Sequence, residues 1–131
     1  SALQLANAED LGTLIRIPMA SGALSGKYFN TSPQLDAEDV RRDRWTSEKA
    51  EPALRKLSKL LFLTEEGKRT MVQAALRFVL DTQGVTAVIP GAKSRKQLEE
   101  NAGAMDVDSL MEEERRRAMS IADGAGWFWW Q

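Results

Sequence analysis

The sequence predicts an α/β fold built on parallel strands, and three observations carry that prediction. Two β-rich runs, Thr13–Ile17 and Val85–Ile89, are each stopped by a proline, Pro18 and Pro90. Apolar residues at helical spacing fill the chain between and after them. The resulting order of strand, long loop, helix, helix, strand, helix, helix is the alternation of parallel-sheet proteins. Two short strands do not make a self-sufficient parallel sheet, which needs neighbours beside it and cover on both faces. The chain therefore reads as part of a larger sheet or barrel.

The elements follow in order. Leu3–Leu11 has room for one or two helical turns, and Gly12 suits the position just past a helix, where positive φ is needed. After the first strand, Met19 to about Trp45 is irregular, and loops of this length inside compact domains are usually functional or mobile. Ala50, Leu54, Leu57 and Leu61 recur at helical spacing over Ser47–Leu61, with Pro52 early enough to be tolerated. Thr70 and Gln73 form a capping box that opens a helix with Val72, Ala75, Leu76, Val79 and Leu80 on one face, closed by Gly84. Ser94 with Gln97 signals a helix to about Ala104, and Ser109 with Glu112 signals another to Gly124. The aromatic tail Trp127–Trp130 stands apart.

Composition narrows the chemistry. The 131 residues fit one domain, 43% hydrophobic and 28% charged, which is globular rather than disordered. A net charge of -1 gives no electrostatic reason to bind nucleic acid or an anionic membrane. No run approaches the ~20 apolar residues of a membrane span, and Ser1–Gln4 lacks the start of a signal peptide, so a cytoplasmic protein is expected. The absence of Cys removes disulfides, thiolate metal sites and Cys nucleophiles. The absence of His removes the commonest general base and the Ser-His-Asp triad.

Both strands lead into glycine-bearing loops, and ligands of α/β folds bind at the carboxyl ends of strands. In the second loop Gly91 lets a ligand approach the backbone, Lys93 adds charge, and Ser94 caps a helix whose positive dipole end faces the same spot. Arg95 and Lys96 lie in the first turn, where the dipole disfavours cations, so their presence suggests a bound anion. A helix start with solvated cations fits the same residues. In the first loop Ser21–Lys27 superficially suggests a phosphate-binding P-loop, but three residues rather than four separate Gly22 from Gly26, and Tyr28 follows Lys27 where Ser or Thr would hold magnesium.

At this point the residues carry a resemblance. Ile17-Pro18-Met19-Ala20-Ser21-Gly22-Ala23-Leu24-Ser25-Gly26-Lys27-Tyr28 resembles the strand-seven loop of aldo/keto reductases, usually P-L-A-S-G-x-L-x-G-K-Y. Val85 through Asn101 resembles their strand eight and following helix, and Thr70–Leu80 their Q-x-A-L-x-W-x-L helix, with Phe78 at the usual Trp. The three motifs occur in order and cover about Leu11 to Asp123.

The resemblance implies the C-terminal portion of a (β/α)8 TIM barrel over residues 1–131, with two parallel strands and four to five helices, and an oxidoreductase moving hydride between NADP(H) and a carbonyl or alcohol. It implies Ile17, Met19 and Ser21 near the cofactor pyrophosphate, with Gly22, Leu24 and Lys27 in a covering loop. It implies Gly91, Lys93, Ser94 and Arg95 at the ribose 2′-phosphate, and Gln97, Glu100 and Asn101 at the adenosine. Gln97 stands where many relatives have arginine, which weakens the preference for NADP over NAD; Lys93 and Arg95 restore some of it. The family's catalytic Asp, Tyr, Lys and His come from the first half of the barrel, so no catalytic residue is assigned here, and Tyr28 belongs to the covering loop. The chain alone is expected to be inactive, and to meet either the missing N-terminal barrel portion or copies of itself; the alternative is a non-enzymatic self-associating or interaction module derived from that fold. Trp127–Trp130 fits a loop beside a substrate pocket, a docked core cluster or an altered tail equally well.

Overall fold

A computed structural model describes residues 2–31, 36–39 and 50–123. The chain starts with helix α1 (Ala2–Ala8). The left-handed residue that ends it is Asp10, at φ 53°, and not Gly12. Leu11 N–H reaches back to the Ala6 carbonyl at 2.8 Å, which closes a Schellman-type cap, and aspartate tolerates the left-handed region at its centre.

Strands β1 (Leu14–Arg16) and β2 (Ala87–Ile89) are parallel neighbours, with Leu14 opposite Ala87, Ile15 opposite Val88 and Arg16 opposite Ile89. Both are shorter than the sequence pattern. At their start side chains join the ladder: the Thr13 carbonyl accepts from Ala87 N–H at 3.0 Å, while Thr13 N–H donates to Thr86 Oγ1 at 2.9 Å and Thr86 N–H donates to Thr13 Oγ1 at 3.0 Å. The Thr13 hydroxyl then donates to the Gly84 carbonyl at 2.6 Å. At the other end Ile17 leaves the strand with φ 55°.

A short 3₁₀ stretch, Ala20–Ser25, lies in the loop after β1. Helix α2 (Ala50–Leu57) is described from Ala50; the expected start at Ser47 and the loop around Trp45 lie outside the described residues. The helix does not continue as α to Leu61. From Ser58 to Gly67 the backbone tightens to 3₁₀, where three residues make a turn. The buried positions therefore become Leu57, Leu60 and Leu63, while Leu61 is left 40% exposed.

Helix α3 (Met71–Leu80) opens with the expected capping box: Gln73 N–H donates to Thr70 Oγ1 at 3.2 Å and Thr70 N–H to Gln73 Oε1 at 3.0 Å. It ends at Asp81, and Gly84 serves the following turn instead. Gly84 has φ 88°, and a Cβ there would lie 2.5 Å from the Leu3 carbonyl oxygen, so glycine is needed both for the turn and for the close passage of α1.

Helix α4 (Arg95–Ala102) runs into a 3₁₀ turn, Gly103–Met105, and α5 (Glu112–Asp123) is the last element described. The expected capping box of Ser109 and Glu112 does not form. Ser109 instead donates to Asp81 Oδ1 at 2.9 Å, and the cap moves to Met111, whose N–H donates to Glu114 Oε2 at 2.8 Å. Glu112, Glu113 and Glu114 place three carboxylates at the positive end of α5.

The core is helical. Ala23 and Phe29 of the first loop pack with Leu54, Leu57, Leu60, Leu63, Met71, Ala74, Ala75, Leu110 and Ala118. The helices thus cover one another and the loop, while Leu14 and Ile89 on the strands are 69% and 56% exposed. Arg115 holds the end of α3: it donates to the Phe78 carbonyl at 2.8 Å and to Thr82 Oγ1 at 3.2 Å, with its guanidinium 4.6 Å from the Phe78 ring centroid. Among the described residues, no helix is long and apolar enough to cross a membrane.

Candidate functional site

The parallel pairing of β1 and β2 puts the starts of both glycine-bearing loops side by side, about 5 Å apart by strand spacing. This common edge is the candidate site.

The first loop carries a run of unusual backbone. Ile17, Ala20 and Ser21 have φ of 55°, 49° and 56°, and Gly22 and Gly26 follow at 96° and 79°. Positive φ at a β-branched residue such as Ile17 is disfavoured by contact of its side chain with the backbone, and each such residue costs about 1–3 kcal/mol. The surrounding structure holds the loop against this strain. Ala23 and Phe29 are buried in the core, and Gly26 lies so close to α3 that a Cβ would sit 3.1 Å from Met71 Cβ. Gly22 N–H and Leu24 N–H both donate to the Met19 carbonyl, at 3.0 and 3.2 Å, and the Ser25 hydroxyl donates to the Gly22 carbonyl at 2.7 Å. Ile17, Met19, Ser21, Gly22 and Leu24 are half-buried, and Lys27 is exposed with its ammonium 5.2 Å from the Tyr28 ring centroid. Strain kept in place by packing is a feature of ligand clamps.

The second loop is open. Gly91, Lys93, Ser94, Arg95, Lys96 and Gln97 are all exposed. Ser94 Oγ accepts from Gln97 N–H at 3.2 Å, the expected cap. The other half of the box is displaced by one residue: Gln97 Oε1 accepts from Lys93 N–H at 2.7 Å rather than from Ser94 N–H. The N–H groups of Arg95 and Lys96, in the first turn of α4, have no intrahelical acceptor and point where the dipole is positive. Arg95 pairs with Glu99 at 2.7 Å, but both side chains are well exposed, and such a pair is readily exchanged for another anion.

Glu100 and Asn101 sit in the last turns of α4, away from its start. Glu100 is half-buried, and its carbonyl accepts from Gln73 Nε2 at 3.5 Å. Asn101 is only 8% exposed and donates to the Gly91 carbonyl at 3.2 Å. The structure thus brings the two loop sets to one edge of the sheet, while turning two of the three residues expected at the adenosine, Gln97 and Asn101, back onto the loop. Sequence reading pointed Gln97 back to the helix start through its capping box with Ser94, one residue from the bond that forms, and gave no sign of the Asn101 bond.

Cations beside a helix N-terminus on the second loop give this edge the chemistry to hold an anionic group. Groups for proton transfer are not gathered there. Tyr28 is the single tyrosine of the chain and, with Phe29, Asn30, Thr31, Glu51, Leu54 and Arg55, lines a separate cavity of about 200 Å³. Among the described residues, no group of three or more Asp or Glu is placed to hold a metal ion.

Asp81, at the C-terminal end of α3, anchors the chain before α5. Burial pushes its carboxyl up, but the Leu110 N–H, the Ser109 hydroxyl and the Arg77 guanidinium outweigh this and hold it below its ordinary range.

The sequence profile described as the Aldo/keto reductase family matches residues 1–123, so the likeness reaches back through α1 and stops before Trp127–Trp130, which also lies outside the described residues. An L-glyceraldehyde 3-phosphate reductase of Escherichia coli O157:H7 is 32% identical over 123 residues, which cover 87% of this chain and 34% of that protein. The chain therefore spans about a third of the length of this curated relative.

Proposed function

This chain belongs to the aldo/keto reductase family, and on that premise we propose that it supplies the C-terminal, NADP-binding part of a (β/α)8 barrel reductase acting on a carbonyl substrate. One observation carries the reading: two glycine-bearing loops leave adjacent ends of a parallel strand pair, the first strained and pinned, the second opening a helix N-terminus flanked by Lys93, Arg95 and Lys96. In this reading the first loop, with Ile17, Met19, Ser21, Gly22, Leu24 and Lys27, receives the pyrophosphate and closes over it. Gly91 gives the backbone room beside the ribose, and Lys93, Ser94 and Arg95 meet the 2′-phosphate with charge and N–H donors. The same reading assigns Gln97, Glu100 and Asn101 to the adenosine.

The bound cofactor supplies hydride. The residues of this chain bind it, fix its orientation and exclude water from its phosphates. With no His in the chain and its lone Tyr28 in the covering loop, proton transfer to the substrate falls to residues this chain does not carry. The name of the curated relative makes an aldehyde the natural class of substrate to offer a complete barrel, and a cytoplasmic setting suits such a reductase.

A second reading is favoured by the sheet. Among the described residues each strand is paired on one side only, and Leu14 and Ile89 are largely exposed. Open edges and an apolar face favour pairing with the remaining barrel strands or with another copy of the chain. Calorimetric titration with NADPH and NADH tests the first reading: tighter binding of NADPH supports it, and no binding of either cofactor refutes it for the isolated chain.

A further inference from the structure

A groove of about 720 Å³ lies between the 3₁₀ stretch Ser58–Gly67 and α5, and neither strand takes part in its lining. Two contacts show how its walls run. Arg69, just past the 3₁₀ stretch, pairs with Glu114 in the first turn of α5 at 3.3 Å. Further along α5 the Arg117 guanidinium lies 3.9 Å from the centroid of the Phe62 ring. The walls are therefore antiparallel, and Lys59 falls toward the Ser120–Ile121 end.

Charge is sorted along this groove. Glu65 and Glu113 line one end, and Lys59, Arg116 and Arg117 line the middle and the other end. Helix energetics account for only part of the sorting. Glu112, Glu113 and Glu114 suit the positive end of α5, but Arg115, Arg116 and Arg117 stand in mid-helix, beyond the reach of the dipole at either terminus. Arg115 is taken up by the Phe78 carbonyl and Thr82. Arg116 and Arg117 face the groove, and both are exposed. Arg116 pairs with Glu113 on the same helix, yet these side chains are 69% and 71% exposed, and such a pair exchanges readily for another. Phe62 and Ile121, both half-buried, give the groove an apolar floor.

We propose that this groove is a contact surface for a second copy of the chain, related to the first by a two-fold axis. A surface acidic at one end and basic at the other complements itself under a half-turn about an axis across it, because each acidic end then meets a basic one. With the axis near Arg115, Glu113 of each copy stands opposite Arg117 of the other. A partner of uniform charge, such as a nucleic acid or an anionic membrane, meets repulsion at one end. One groove per copy is a small interface, so the dimer is weak and its formation sensitive to salt. The proposal is independent of the cofactor reading, and the surface is separate from the open strands Leu14–Arg16 and Ala87–Ile89.

Sedimentation equilibrium tests it in the full chain, with Leu14→Lys and Ile89→Lys introduced so that strand pairing does not contribute. That chain is expected to dimerise at low salt and to dissociate at high salt. Glu113→Arg and Arg117→Glu, each added alone, set like charges opposite one another at both symmetry-related contacts and are expected to weaken the dimer about tenfold. An equimolar mixture of the two variants restores opposite charges at both contacts, so a heterodimer of near-original affinity is expected where neither variant assembles alone. Recovery on mixing separates docking from loss of stability, since a merely destabilised chain gains nothing from the other variant. Absence of a dimer in the Leu14→Lys, Ile89→Lys chain at low salt overturns the proposal, whether or not the original chain associates through its strand edges. Single variants that associate as well as their parent overturn it too, as does a mixture that fails to recover.

Discussion

Replacing Asp81 by alanine removes one carboxylate from three partners at once. The Leu110 N–H and the Ser109 hydroxyl both donate to it at 2.9 Å, and Arg77 pairs with it from one turn earlier on α3. The side chains of Arg77 and Asp81 are 14% and 11% exposed, so solvent replaces little of what is lost. Leu110 is buried, and Arg77 Nε already has no partner. Orphaning a buried N–H costs about 1–3 kcal/mol, and breaking a buried ion pair from one side costs about 3–5 kcal/mol. These overlap because one carboxylate serves all three groups, and Arg77 keeps Ser109 Oγ as an acceptor at 2.5 Å. A loss of about 3 kcal/mol is expected, which lowers the melting temperature by about 12 °C at roughly 4 °C per kcal/mol for a chain of this size.

The pH dependence follows from the sign of the shift. The folded-state pKa of Asp81 lies below its unfolded value of about 3.8. Its contribution is therefore fully present above pH 3.8 and is lost as pH falls through the lower folded value. Thermal melts by circular dichroism between pH 2 and 7 should show the variant and the original converging at the acid end. Asp81→Asn, which keeps an acceptor for Leu110 N–H but no charge, should lose about half as much. A drop of less than 1 kcal/mol at pH 7, or a difference between variant and original that is constant across the acid range, would refute the assignment of Asp81 as the anchor of the α3–α5 connection.

Three further outcomes are expected. Gly84→Ala should destabilise by more than 2 kcal/mol in urea unfolding, since positive φ and a 2.5 Å approach to the Leu3 carbonyl oppose any side chain there. A highly purified sample should show no NADPH-dependent aldehyde reduction above background, and turnover abolished by Tyr28→Phe would contradict the place given to Tyr28. Sedimentation at micromolar concentration should reveal self-association that weakens several-fold when Leu14 and Ile89 are both changed to Lys; a single monomer with a cooperative melt would show that the exposed strand pair needs no partner.

What the sequence made legible was local. The Thr70–Gln73 box needs only residues three apart and a free helix start, and it formed as expected. Ser109 and Glu112 satisfy the same pattern, yet Asp81, 28 positions away in sequence, claims the Ser109 hydroxyl and shifts the cap to Met111. Nothing local to residues 109–112 encodes that competitor. The change from α to 3₁₀ at Ser58 is similar: helical spacing through Leu61 was present, but packing against α3 and α5 selects Leu60 and Leu63 instead. At the site, Gly91 and Ser94 signalled an open turn into a capped helix, and the Ser94 cap formed. The strain at Ile17 did not show, because a β-branched residue at the end of a β-rich run reads as one more strand position. The bond from Asn101 to the Gly91 carbonyl was likewise invisible, since the residue satisfies a helix pattern whichever way its side chain turns, whereas the capping-box pattern turned Gln97 back correctly and was one residue off in its partner.

The central claim, that this chain carries the NADP-binding loops of an aldo/keto reductase, is tested most directly by calorimetric titration of NADPH and NADH into the chain and into the variant Lys93→Ala with Arg95→Ala. The account predicts measurable but weak binding of NADPH by the original chain, weaker binding of NADH, and a variant in which that difference narrows through loss of NADPH affinity alone. Equal affinities for the two cofactors, unchanged by the double substitution, would contradict it.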